Sequence, residues 1–208
     1  MEILSVCTAE PEKLPGKSYK TGINKRAAVG TVVIDANGLQ ADAICNRKYH
    51  GGPDQAVYVE GSVSLDWWAT QLGIPLLPGQ FGENLIVGGL DNTVVAAGDC
   101  FCFGDVVLEA TVPRMPCATF AAKMGDPQFV QRYRKAARPG FYCRVLHPGS
   151  VKAGIGVSYR PYGSPRVLMT EMMKDFGKFI SGETLARYLA IPLHCKLRSS
   201  LETGKVKF

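Results

Sequence analysis

The stretch from residue 100 to 120, CFCFGDVVLEATVPRMPCATF, determines most of what can be predicted about the fold. Cys100–Phe103 and Val106–Val112 are rich in β-branched and aromatic residues, and the Gly-Asp pair between them is typical of a hairpin turn. Two prolines directly after the second strand prevent it from continuing. The stretch therefore predicts two paired strands followed by a stiff loop that carries Cys117.

Cys117 combines two features that lower the pKa of a thiol. A short helix is predicted over 118–124, so the cysteine stands at a helix start, and Arg114 precedes it by three residues. Such a thiolate can ligate a soft metal or act as a nucleophile. The alternative for any single cysteine is a buried, unreactive thiol. The two prolines and the arginine favour the reactive interpretation.

Short β-rich runs separated by Gly and Pro continue on both sides of this stretch and predict a mainly β fold with some helices, in the α+β class. Their close spacing favours an antiparallel barrel or folded sheet. The further predicted strands lie at 29–35, 55–60, 84–87 and 141–146, and helices are predicted at Ser62–Leu72 and 127–137.

After residues 161–165, PYGSP, the pattern changes to helical spacing. Leu168, Met172 and Phe176 recur every four residues, and the remaining tail predicts two more short helices. The sequence thus predicts a β domain at 1–162 and a three-helix extension at 163–208. The apolar face of the extension must pack either on the β domain or on a second subunit, so a homodimer is one expected arrangement.

Composition restricts the class of protein. The chain has 208 residues, of which 46% are hydrophobic and 20% charged, enough to bury a core. Seven cysteines, an odd number without a CxxC pair, argue against a disulfide framework and against a zinc finger, and they favour a cytoplasmic location. The first residues lack the features of a signal peptide, and no apolar run is long enough to span a membrane. Cys100 and Cys102 share one face of their strand and are expected to be ordinary strand residues.

The net charge of +6 is concentrated in two stretches. The first contains Lys13, Lys17, Lys20, Lys25 and Arg26 without an acid among them, and the second contains Arg132, Arg134, Lys135 and Arg138. Such surfaces attract anions, although a merely solvated basic face explains the second stretch equally well. Nucleic acid is not an expected partner, because neither stretch interleaves its basic residues with aromatic residues for base stacking.

Two glycine-containing segments are further candidates for a binding site. Residues 48–54, KYHGGPD, form a tight turn whose backbone N–H groups can approach an anion, with His50 and Asp54 beside it. Residues 79–85, GQFGENL, place the amide of Asn84 at the entrance to a strand. By composition alone, a purely structural turn is an equally good explanation of either segment.

Together, these segments resemble the MOSC domain, named after the C-terminal domain of molybdenum cofactor sulfurase, and in particular its YiiM-like subgroup, which has a three-helix extension. The resemblance rests on five motifs in order along the chain. They are KTGINKR at 20–26, HGGPD at 50–54, FGENL at 81–85, AGD at 97–99 and PRMPC at 113–117. It implies a β-barrel domain that binds a molybdopterin-type cofactor and reduces N-hydroxylated compounds, including hydroxylaminopurines.

The resemblance also implies roles for individual residues. Cys117 would be the molybdenum ligand, and Arg114 would add positive charge beside it. Lys20, Thr21, Lys25 and Arg26 would bind the phosphate and pterin of the cofactor. His50, Asp54 and Asn84 would line the cleft, with His50 as the first candidate for a proton donor and Asp54 as the second, provided that its pKa is raised.

The chain has no CxxxxCxxC segment, so the resemblance implies a separate reductase as the electron donor. Two other functions stay open at this point. Cys117 could carry sulfur as a persulfide, or the protein could bind the cofactor without catalysing a reaction.

Overall fold

The computed structural model describes residues 1–47 and 50–208; Lys48 and Tyr49, which open the predicted turn at 48–54, lie outside the described residues. The strands are β1 (Ile3–Thr8), β2 (Glu12–Lys13), β3 (Lys20–Thr21), β4 (Arg26–Ala27), β5 (Val32–Asp35), β6 (Gly38–Leu39), β7 (Val57–Gly61), β8 (Leu85–Val87), β9 (Cys100–Phe103), β10 (Val106–Pro113), β11 (Phe141–His147), β12 (Gly149–Val151) and β13 (Ser158–Arg160). The helices are α1 (Ser62–Leu72), α2 (Ala118–Met124), α3 (Phe129–Ala136), α4 (Met169–Asp175), α5 (Gly182–Leu189) and α6 (Cys195–Ser200).

Most strands join one eight-stranded sheet with the order β13-β9-β10-β11-β7-β8-β1-β4. Adjacent strands in this sheet pair antiparallel, except for β7 and β8, which are parallel because α1 connects them. A three-stranded sheet, β12-β5-β6, and the β2-β3 pair complete the β structure. The predicted α+β class, mainly β with helices, is confirmed.

The hairpin predicted within residues 100–112 is present. Val106 pairs with Phe103 and Glu109 with Cys100, so the Gly-Asp pair makes the turn. The sequence analysis missed β1, which lies between β8 and β4 and buries Ile3, Val6 and Cys7.

The three C-terminal helices pack on the sheet. Residues from the tail share one hydrophobic core with strand residues, among them Met169, Met172, Tyr188 and Leu197, all fully buried. The apolar face of the extension is therefore covered within this chain. The domain boundary after residue 162 stays a prediction.

Asp99 links the β domain to the start of the tail. Its buried carboxylate accepts hydrogen bonds from the backbone N–H of Tyr162 at 2.7 Å, from the hydroxyl of Tyr159 and from the guanidinium of Arg166 at 2.8 Å. Gly98 before it has φ +87°, and an added Cβ there would lie 2.6 Å from the Tyr162 ring. The Ala-Gly-Asp motif thus fixes the path of the chain into the extension.

Within the described residues, none of the helices is both long and apolar enough to cross a membrane.

Candidate functional site

A cavity of about 360 Å³ opens beside the loop that ends at Cys117. Residues from four predicted motifs line it together: Lys20, Thr21, Lys25, His50, Asn84, Arg114 and Cys117. The loop reaches this position because β10 ends at Pro113 and the backbone N–H of Arg114 bonds to the carbonyl of Gly140 at 2.8 Å. The fold therefore brings the basic segment at 20–26, the glycine turn at 50–54 and the loop at 113–117 together around one cavity.

Cys117 is the residue that precedes α2, with an extended backbone at φ −132° and ψ 172°. Burial raises the pKa of its thiol, but a hydrogen bond with His50, the positive charge of Arg114 and the backbone N–H of Phe120 outweigh burial and lower the pKa to about 6. Roughly nine-tenths of a thiol with that pKa is thiolate at pH 7. The geometry thus provides a soft anionic sulfur inside the cavity.

Arg114 carries a buried positive charge next to this sulfur, with only 5% of its surface exposed. Its guanidinium carbon lies 3.7 Å from the ring centroid of Phe120, and one terminal nitrogen donates to the carbonyl of Met115 at 3.1 Å. In the described part of the chain, its Nε has no hydrogen-bond partner and no carboxylate lies within ion-pair distance.

An unpaired buried charge is costly, and an anion in the cavity would offset that cost. The cavity also presents a soft sulfur, which suits a heavy transition metal. The donor set therefore fits a phosphate-bearing cofactor with a thiophilic metal.

A buried polar network lies next to the cavity. Tyr58 lines the cavity and donates its hydroxyl to Glu60, which is fully buried and also accepts from Asn92. Burial raises the pKa of Glu60 to about 8, against the effect of these hydrogen bonds. The Tyr133 hydroxyl, 3.5 Å from Glu60, accepts from the backbone N–H of Gly140 at 3.0 Å. The network joins β7 to the segment that holds the Arg114 backbone.

The amide of Asn84 is engaged by the protein itself. It accepts from the backbone N–H of Tyr58 at 3.0 Å and donates to the carbonyl of Cys7 at 3.2 Å and to Asp42 at 2.9 Å. Asp42 in turn forms an ion pair with Lys25, and both side chains are less than 10% exposed. Asn84 and Lys25 therefore line the cavity as parts of its wall, with their polar groups already paired.

The two ends of the basic segment point in different directions. Lys20 is exposed at the rim of the cavity, and Thr21 accepts a hydrogen bond from the backbone N–H of Ile23 at 3.2 Å. Arg26 lies outside the cavity and pairs with Glu12 at 2.7 Å, with 71% of its side chain exposed. The structure thus separates Arg26 from the phosphate-binding group in which the sequence analysis placed it.

Asp54 also lies away from the cavity. Its carboxylate accepts from the backbone N–H of Cys195 at 2.7 Å and lies 3.0 Å from the guanidinium of Arg144. Burial raises the pKa of Asp54, but these hydrogen bonds and the charge of Arg144 outweigh it and hold the pKa below its ordinary value. We therefore assign it no role as proton donor, which would require a raised pKa.

Asp54 is separated from the cavity, although His50 lines it, because a turn lies between the two residues. Gly51 and Gly52 have φ +78° and +86°, values that favour glycine, and together they direct His50 and Asp54 to different sides of the chain.

Comparison with known proteins identifies the family. The family model described as the MOSC domain matches residues 46–158, more than half of the chain. This chain belongs to the MOSC domain family. Its YiiM-like character is supported by Protein YiiM of Escherichia coli, which is 29% identical over 70% of this chain and 64% of that protein.

Other relatives extend the comparison. The uncharacterized protein YflK of Bacillus subtilis is 36% identical over 73% of this chain and 70% of its own length. A protein named Reductase from Gibberella moniliformis is 31% identical over 74% of this chain, but the match spans only 28% of that protein. The crystal structure of YiiM from Geobacillus stearothermophilus has the same fold, with a TM-score of 0.77, 21% identity and 97% coverage of both chains.

Sequence reasoning missed several residues of this MOSC cavity. Asp42 carries no motif around it, and Tyr58 and Tyr142, whose ring centroids lie 5.3 Å apart, read as ordinary strand aromatics. In the second basic stretch, Arg132 pairs with Asp126 at 2.8 Å, and Arg138 pairs with Asp91 at 3.0 Å. Both arginines are therefore paired with an acid of this chain, and Arg138 also packs over the Trp67 ring.

Proposed function

We propose that this protein is a molybdenum-cofactor-binding oxidoreductase that reduces N-hydroxylated compounds such as hydroxylaminopurines, with Cys117 as the molybdenum ligand. The observation that carries the proposal is the combination, in one cavity, of a thiol whose pKa is lowered to about 6 and a buried guanidinium with no carboxylate partner among the described residues. The membership of the MOSC family and the fungal relative named Reductase support a redox function.

Each residue of the cavity has a task in this proposal. Cys117 would hold the metal, since a thiolate is the ligand that soft metals prefer. Arg114 would attract an anionic group of the cofactor through its buried positive charge, and Lys20 and Thr21 would contact the phosphate at the rim. Lys25 and Asn84 would keep the wall in place through Asp42.

The reaction consumes two electrons and two protons, breaks the N–O bond of R–NHOH, and yields R–NH₂ and water. The bound cofactor would supply the electron pair, and a separate reductase would replace it. His50 lies against the Cys117 thiol, where it can hold a proton next to the reacting group. Tyr58 and Tyr142 would exclude water from the inner end of the cavity.

The test is molybdenum analysis of the native protein, Cys117→Ala and Cys102→Ser, all purified from a host that makes the cofactor. Cys102 is a half-buried cysteine on β9 and serves as the matched control. We expect stoichiometric molybdenum in the native protein and in Cys102→Ser, none in Cys117→Ala, and turnover of a hydroxylaminopurine with a competent electron donor.

Native protein without molybdenum would contradict the proposal. A persulfide mass shift on Cys117 in that protein would indicate a sulfur carrier instead. Stoichiometric cofactor without turnover of any N-hydroxylated compound would indicate a binding module.

A further inference from the structure

A second group of metal-binding side chains lies outside the cavity, where the tail meets the glycine turn. Asp54 stands in the turn after the two glycines, and His194 and Cys195 stand at the start of α6. One carboxylate oxygen, one ring nitrogen and the Cys195 Sγ lie within 4.8 Å of one another. Asp, His and Cys are the three side chains that protein zinc sites use most.

The spacing is close to that of a tetrahedral site. With Zn–S near 2.3 Å and Zn–N near 2.05 Å, two ligands of a tetrahedral zinc are about 3.6 Å apart. Here the Cys195 Sγ and the His194 Nδ1 are 3.9 Å apart, and zinc on Nδ1 would displace the hydrogen bond that this nitrogen accepts from the Lys196 backbone N–H at 3.0 Å. A closure of a few tenths of an ångström in an exposed cysteine side chain brings the pair to that separation.

The neighbouring charges suit a divalent cation. Arg144 lies 3.0 Å from Asp54 and 3.3 Å from Glu109, so its single positive charge faces two carboxylates. Lys196 is the other cation near the histidine, and its side chain is exposed to solvent, which screens it. The two carboxylates and Arg144 give a net charge of about −1, and zinc binding would release the proton of the Cys195 thiol.

The ligands come from parts of the chain that only the fold brings together. Asp54 is separated from Cys195 by 141 positions, and their contact is the 2.7 Å hydrogen bond from the Cys195 backbone N–H to the carboxylate. A carboxylate oxygen has lone pairs for both this N–H and a metal. His194 is buried, with 2% of its surface exposed, which fixes its ring in place.

We propose that Asp54, His194 and Cys195 bind one zinc ion, with water as the fourth ligand, and that this ion fastens α6 to the turn between His50 and β7. The site is independent of the proposed function, because Cys117 and the cavity take no part in it. Three protein ligands and an open fourth position are typical of zinc sites that keep a water.

The experiment uses the full chain in a Cys117→Ala background, which removes the reactive thiol as a competing zinc ligand. Apo protein is titrated with Zn²⁺ and, separately, with Co²⁺, whose binding to a thiolate produces a sulfur-to-cobalt charge-transfer absorption. The variants are Cys195→Ser, whose exposed side chain is not needed for folding, and the exposed-cysteine control Cys45→Ser.

We expect one zinc per chain, a higher unfolding temperature with zinc, and the charge-transfer band. Cys195→Ser should weaken zinc binding at least about 10-fold and abolish the band, whereas Cys45→Ser should change neither. Absence of stoichiometric zinc binding, or a charge-transfer band that survives Cys195→Ser, would overturn the proposal.

Discussion

Cys117 and Cys195 are two cysteines beside a histidine and next to the start of a short helix, yet their thiols are shifted in opposite directions. Burial raises the pKa of both. At Cys117, the hydrogen bond with His50 and the charge of Arg114 reverse this effect and lower the pKa to about 6. At Cys195, a hydrogen bond to Asp54 and the charge of that carboxylate raise the pKa further. The two thiols therefore differ because His50 and Arg114 lower the pKa at Cys117, whereas Asp54 raises it at Cys195.

One motif supplies both environments. The residues HGGPD place His50 against Cys117 and Asp54 against Cys195, and the two glycines with positive φ separate them. The same turn therefore stabilises the thiolate of Cys117 in the cavity and the protonated thiol of Cys195 at the start of α6.

The largest effect is expected from removing the reactive thiol. Loss of outer-shell partners of a metal ligand already costs about 10- to 100-fold, so Cys117→Ala should lower kcat/KM for an N-hydroxylated purine on the order of 100-fold or more. Steady-state kinetics with a fixed electron donor measure this. Cys102→Ser should stay within about 2-fold of the native value. Equal losses in the two variants would contradict the claim that Cys117, and not Cys102, takes part in the reaction.

The Cys195 region should set the acid stability of the fold. Burial lowers the pKa of His194 to about 4, against an ordinary value near 6.5. Between these two pH values the unfolded chain binds the extra proton, so the free energy of unfolding falls as pH is lowered, by roughly 2 kcal/mol from pH 6.5 to 4.5. Urea unfolding of metal-free protein at pH 6.5 and 4.5 measures the loss. His194→Gln should show a smaller loss over this range than the exposed control His147→Gln, and equal slopes would contradict this expectation.

His50→Ala should make Cys117 more like Cys195. His50 is the first group that lowers the thiol pKa, so its removal should raise the pKa of Cys117 by about one unit or more. The pH dependence of alkylation at Cys117, followed by peptide mass spectrometry, reports this shift. His147→Ala, which changes an exposed histidine on β11, should leave the profile unmoved.

Arg114→Met removes the second group that lowers the thiol pKa and should have a smaller effect on the thiol than His50→Ala. The alkylation profile should again move to higher pH, because the positive charge beside the thiolate is lost. Replacing an unpaired buried charge by an apolar side chain of similar length should leave the cofactor-free protein equally stable or about 1 kcal/mol more stable. Denaturant unfolding checks this, and a loss of several kcal/mol would show that Arg114 is satisfied by the protein alone.

Much of this architecture could be predicted from the sequence. The β9–β10 hairpin, α1 and α2 follow from local patterns, and the convergence of Cys117, His50 and Arg114 follows from the family resemblance. The side chains of Arg26 and Asp54 could not be placed, because their directions depend on partners distant in sequence, Glu12 for one and Cys195 for the other. Asp42 was missed because an isolated acid has no local pattern.

The most direct test of this account is the alkylation rate of Cys117 and Cys195 measured in one sample from pH 5 to 9 by peptide mass spectrometry. We predict that the rate at Cys117 rises with a midpoint near pH 6 while Cys195 still reacts more slowly at that pH and continues to rise above pH 8. Midpoints for both thiols at or above the ordinary value near 8.5 would contradict the claim that Cys117 is a thiolate poised to bind a metal.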